Sequence, residues 1–249
     1  MKNAAHSAIV VYHSLDNSGD LFSTGPAMFR AHLNALVESG IQIVPLEAIQ
    51  TTPQAIALTF DDGYANFREH ALPYLLELEL PATVFVVSGQ CGRTSQWESR
   101  MGPHVNQKLL NWSELREIAS AGIGIGAHTV SHENLALLTD EKVIREMRDS
   151  RAEIESRIGL PVKAFAYPYG VSNRSIQRVA RQQFQIACGT HLSLVHEKSN
   201  PFDLPRIFDF YLRHRYLNRP VRLRRLNQME GRVYLAMRRW LSKARDHFR

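Results

Sequence analysis

The chain is poor in the features that mark disulfide scaffolds, membrane spans and repeat arrays. Its two cysteines, Cys91 and Cys188, have no metal-type spacing and give no disulfide framework, so both read as small buried hydrophobes. No run approaches the roughly 18 apolar residues of a spanning helix. The apolar stretch in "MKNAAHSAIVVYHS" is far too short for a signal-peptide core, which reads as a cytoplasmic protein. No internal repeat or low-complexity linker divides the chain. A net positive charge is missing from most of it as well. Residues 213–249 carry 11 Arg and one Lys against Glu230 and Asp246, a net of +10. The whole chain stands at +6, which leaves −4 for residues 1–212. The basicity belongs to a tail.

What is present is a regular alternation. Apolar, β-branched runs recur at 9–12, 41–44, 56–60, 82–87, 123–127, 162–167, 184–188 and, less clearly, 206–210. Helical patterns lie between most of them. "PAMFRAHLNALVESG" has Pro26 near its start and Gly40 at its end, as helix termini often do. "NWSELREIASAG" offers Asn111 as a cap with Glu114 three residues on. "TDEKVIREMRDSRAEIESRIG" opens on Thr139 and early acids and stops at Gly159. Strands alternating with helices predict parallel βα units. Seven or eight such units in 249 residues predict an α/β fold, a distorted (β/α) barrel over 1–212 with a basic helical tail over 213–249. The connection 91–110 is long and irregular, as functional loops often are. Trp97 within it suits either a ligand ring or an anchor to the barrel rim.

Three segments carry chemistry. "ALTFDDGYAN" sets Asp61 and Asp62 directly after a strand, where neighbouring carboxylates point different ways and can do separate jobs. "IGIGAHTVSH" supplies His128 and His132, which share one side if the chain turns helical there. Neutral imidazole suits zinc and similar ions. The second position holds Thr rather than Glu, so this is no HExxH protease helix. Barrel active sites form where strands end. Asp62, His128 and His132 would there make a two-His, one-carboxylate site. A divalent ion in it lowers the pKa of water towards ~7 and polarises a carbonyl. "FAYPYG" adds a rigid turn whose backbone N–H at Tyr169 could receive an oxyanion.

"TFDDG", "HTVSH" and "FAYPYG", in this order, resemble the first three motifs of the polysaccharide deacetylases, family 4 of the carbohydrate esterases. The resemblance spans roughly residues 8–210. It implies a distorted barrel that uses one divalent cation to hydrolyse an N-acetyl group from an amino sugar. Asp61 is then the general base; Asp62, His128 and His132 are the metal ligands; and the Tyr169 amide belongs to the oxyanion site. Zinc is the first choice of ion, with cobalt, nickel or manganese also accepted by such donors.

The departures from the pattern are specific. Ala166 stands where the family's third motif usually carries an arginine that holds the base, and Lys163 replaces that motif's first arginine. Arg206 in "DLPRIF" is the candidate to grip Asp61 instead. The general acid of the common arrangement is a histidine near the C-terminus, where His214 lies in a highly basic segment. "VVYHS" offers His13 in an apolar-x-His at the first strand, as in circularly permuted members. His13 is therefore the expected acid.

The expected partner is an N-acetylated saccharide, free, polymeric or lipid-linked. A saccharide-binding barrel without turnover and a hydrolase of a non-sugar amide are the competing classes. In the tail, Leu226, Met229, Val233, Met237, Trp240 and Ala244 recur at helical steps among arginines, with a break at Gly231. A terminal helix docked on the barrel is the plain reading. An anionic membrane surface, at the inner face of the membrane, is the functional one. Nucleic acid is not expected, because no motif accompanies the charge.

Overall fold

Apolar runs that stay hydrophobic on both faces demand a sheet covered on both sides, and the computed structural model has one. It describes residues 6–97 and 106–212. Both His214 and the basic segment 213–249 lie outside the described residues. The strands are β1 (Ala8–Tyr12), β2 (Gln42–Ile43), β3 (Ala55–Phe60), β4 (Thr83–Val86), β5 (Gly124–Ala127), β6 (Ala164–Ala166), β7 (Ile186–Cys188) and β8 (Ile207–Phe208). The helices are α1 (Pro26–Glu38), α2 (Leu72–Glu77), α3 (Trp112–Ser120), α4 (Asp140–Ile158) and α5 (Arg174–Gln183). Every strand pairing is parallel, in the order β7-β6-β5-β4-β3-β1-β8. A parallel bridge between Cys188 and Leu204 ties β7 to the segment that runs into β8, so the sheet curls back on itself. Strand β2 stands off this path. It pairs with the first residues of β3, whose last residues pair with β4.

Strand parity sorts the core into two clusters. Ala8, Val10 and Tyr12 of β1 and Ile56, Leu58 and Phe60 of β3 pack outward against the helices. Ile9, Ala55, Ala57, Ala164, Ala166, Ile186 and Cys188 face inward together with Phe85. Burying each Leu, Ile or Phe contributes ~1.5–3 kcal/mol, and most inward positions are small because little room remains inside so narrow a barrel. Parity continues past the strand ends. His13 and Asp61 are the next inward positions after Val11 and Thr59, and the Tyr12–Phe60 register sets them side by side.

Of the caps expected from the sequence, one is not made. Asn111 and Glu114 form the reciprocal capping box. Gly159 closes α4 in the left-handed region at φ +78°. Thr139, in contrast, makes no side-chain cap. Asp140 and Glu141 hold negative charge at that end instead. A π-helical turn, Phe67–Ala71, precedes α2.

Candidate active site

Asp61 leaves β3 with its amide still bonded to the Tyr12 carbonyl at 2.9 Å, and its carboxylate points into the barrel. Arg206, one residue before β8, meets it there with two parallel bonds: Nη1 to Oδ1 and Nη2 to Oδ2, both 2.7 Å. The guanidinium is fully buried. Its Nε donates to the Gly189 carbonyl at 2.8 Å, and the Phe85 ring lies 5.8 Å away. Burial pushes the Asp61 carboxyl up, but the Arg206 charge and hydrogen bonds, with His128 and His13 adding to them, hold it below its usual range. Asp61 is an ionised, oriented carboxylate in a place where an unpaired one would be costly.

Asp62 turns the other way because its φ is +70°, and Gly63 follows at +73°. Its Oδ1 lies 3.4 Å from His128 Nε2 and 3.2 Å from His132 Nε2. One ligand atom from each of the three residues falls within 4.8 Å of the others, and all three residues are buried. The Nδ1 of His128 is taken by the Ala166 carbonyl at 2.7 Å. That contact assigns an N–H to Nδ1, so Nε2 is the nitrogen that faces Asp62 and offers its lone pair to a cation once its own proton leaves. Burial pushes the Asp62 carboxyl up, yet the two histidines bring it well below its ordinary value. A deprotonated carboxylate and a correctly oriented imidazole are what a divalent cation requires, so the donor set fits one.

The two histidines do not converge through a helical turn, contrary to the sequence expectation. Residues 128–132 are irregular, with Thr129 at φ +68° and His132 at φ +63°. Left-handed conformations at Asp62, Thr129, His132 and Tyr169 (φ +59°) each cost ~1–3 kcal/mol and persist only where surrounding contacts impose them. Here the Thr129 hydroxyl accepts the His132 amide at 2.9 Å. The Trp97 ring stacks on His132 with centroids 4.4 Å apart, and Tyr169 meets the same imidazole edge-on at 4.8 Å. Trp97 therefore packs on a candidate ligand. Tyr169 stands at the rim, 40% exposed.

His13 lies between Phe22 and Phe208, at centroid distances of 4.8 and 5.8 Å. Burial lowers its pKa below the ordinary value, against the pull of the Asp61 and Asp62 charges. Ser14, the next residue, is bonded to Gln107 at 2.8 Å and to Asn66 at 2.7 Å. The loop that follows β1 is thereby stapled to those after β3 and β4.

Two neighbours escaped the sequence reading. Tyr64 is buried beside Asp62; burial first, and that carboxylate second, push its phenol far up and keep it an O–H. Asp209 is buried near His13 and accepts from the Thr24 hydroxyl. Only the aromatic residue just after "DDG" was a local signal; Asp209 had none.

A sequence-family model described as polysaccharide deacetylase matches residues 48–185. The chain is 26% identical over 208 residues to YxkH of Bacillus subtilis, covering 80% of this chain and 70% of that protein. It is 23% identical over 164 residues to the poly-beta-1,6-N-acetyl-D-glucosamine N-deacetylase of Staphylococcus aureus, covering 62% of this chain and 54%, about half, of that enzyme. The fold matches IcaB of Ammonifex degensii, with a TM-score of 0.70 at 22% identity over 83% of this chain and 92% of that one. The deacetylase PplD of Streptococcus pyogenes gives the same score and identity over 83% and 93%. The matched span contains Asp61, Asp62, His128, His132 and Tyr169, though neither His13 nor Arg206, and by it the chain belongs to the polysaccharide deacetylase family.

Proposed function

We propose that this protein is a metal-dependent hydrolase that removes N-acetyl groups from amino sugars in a saccharide. Asp62, His128 and His132 hold the cation, zinc in the first instance. Bound there, the ion supplies Lewis-acid polarisation of the acetyl carbonyl and acidifies water. Asp61 takes the proton of the attacking water, and Arg206 orients its lone pair. The backbone N–H of Tyr169 donates to the developing oxyanion, an interaction whose loss can cost ~2.7–4 kcal/mol. His13 donates a proton to the departing nitrogen, so acetate and a free amine leave. The observation that carries this reading is a buried Asp62–His128–His132 set within 4.8 Å beside an Asp61 held by two 2.7 Å bonds.

The S. aureus relative's name makes β-1,6-linked N-acetylglucosamine the first substrate to try. Incubation with zinc and oligomers of that sugar, with acetate measured enzymatically, is expected to release acetate in proportion to enzyme. Metal binding without acetate from any N-acetylated sugar would favour a binding barrel or a non-sugar amide hydrolase. His13→Ala is expected to lower turnover ~10²–10⁴-fold at unchanged zinc content. An active His13→Ala beside an inactive His214→Ala would move the acid role to the tail.

A further inference from the structure

Between His128 and His132 the chain exposes peptide groups that no strand or helix can satisfy, and α4 supplies their partner. Glu146, half-buried in the second turn of α4, accepts the Val130 amide at 2.9 Å and the Ser131 amide at 3.0 Å on Oε2. Its Oε1 accepts the Ser131 hydroxyl at 2.9 Å. One turn further along, the Ser150 hydroxyl donates to the Thr129 carbonyl at 3.0 Å. The Ser88 and Gly89 amides, just after β4, take the Thr129 and Val130 carbonyls at 3.1 and 3.0 Å. Gly89 is a close approach: a Cβ there would sit 2.7 Å from the Val130 oxygen.

We propose that Glu146 is a positioning residue for the candidate metal centre, its carboxylate fixing the loop 129–131 so that His132 faces Asp62 beside His128. The proposal rests on the metal-site reading. Three donors converge on this one side chain, two of them peptide N–H groups on a single oxygen. Among the described residues, these are the carboxylate hydrogen bonds made to residues 129–131. Water can replace these bonds, but it does not hold Thr129 and His132 in left-handed conformations. Without the clamp the loop relaxes, and His132 Nε2 loses its fixed distance from Asp62 Oδ1.

The test is zinc affinity, measured by competition with a chromophoric chelator on purified full-length protein without substrate. Outer partners of metal ligands typically cost 10–100-fold in affinity when removed, and Glu146→Ala is expected to raise the zinc Kd by about that factor. Glu146→Gln keeps a carbonyl for both amides and an NH₂ for the Ser131 hydroxyl, so it restores most of the affinity. A residue that only stabilised α4 would lower the melting temperature of the metal-free protein and leave the Kd of the folded protein alone. Wild-type zinc affinity in folded Glu146→Ala overturns the proposal. Should the alanine variant not fold, Glu146→Asp decides. It keeps the charge but withdraws the carboxylate by one methylene, and unchanged affinity there has the same meaning. Asp62→Ala separates the two levels of inference: zinc binding that survives it sinks the metal-site reading itself.

Discussion

Asp61→Asn is expected to cut acetate release by ~10²–10⁴-fold while one zinc per chain remains bound. The amide has nearly the shape of the carboxylate and still accepts a bond from Arg206, but it cannot take a proton from water. Asp62, His128 and His132 are untouched, so metal content and turnover separate. Inductively coupled plasma analysis beside the acetate assay reads both. Loss of metal together with activity would mean that Asp61 is a ligand. Near-normal turnover would remove it as base.

The second large effect comes from the other end of the same ion pair. Arg206→Met leaves Asp61 buried without its cation, and breaking a buried pair in this way costs ~3–5 kcal/mol. The pH dependence has a definite sign. In the wild type the Asp61 carboxyl is depressed, so its stabilising contribution is complete above the unfolded value near ~3.9 and is lost as pH falls through the lower folded value. In Arg206→Met the strongest charge holding the carboxyl down is gone, and burial, opposed only by His128 and His13, raises it. The penalty is then larger at neutral pH than at pH ~4, where protonation relieves it. The acid limb of kcat/KM is expected to shift upward for the same reason, because Asp61 in its proposed role as base works only when ionised. Urea unfolding at the two pH values and a pH–rate profile measure these effects. The double variant Asp61→Asn/Arg206→Met should regain much of the stability and none of the activity, the mark of a coupled pair. Equal penalties at both pH values would mean that Arg206 contributes packing and not charge.

These effects are large because the pair is dry. Arg206 has no exposed surface and Asp61 only 3%, so solvent screening, which reduces most surface ion pairs to ~0–1 kcal/mol, is absent. The exposed pair Arg68–Glu117 has a comparable 2.9 Å separation and little expected consequence. Burial, more than distance, separates the two.

Much of this site could be read along the chain. The apolar run 56–60 placed Asp61 and Asp62 at a strand end, pointing different ways, before any partner was known, and Asn111 and Glu114 announced a helix start with three-residue spacing. These are local rules, enforced by backbone geometry within a few residues. The three motifs kept their order and marked the carboxylate pair and both imidazoles. The left-handed turn at Thr129 was not legible, because a β-branched residue adopts that conformation only under outside contacts, and those come from Glu146, Ser88 and Ser150. Thr139 marked the helix start correctly, as the N-cap residue, but its side chain makes no capping bond. The acids beside it supply negative charge to the helix end without a side-chain bond.

By itself, then, the amino-acid order determined which residues lie at strand ends, which face they occupy and which side chains can bind a cation. Tertiary structure alone decided which of them meet. Asp61 and Arg206 stand 145 positions apart and touch because the sheet curls until β8 lies against β1. That closure is set by packing summed over the whole barrel, and no neighbourhood of either residue encodes it.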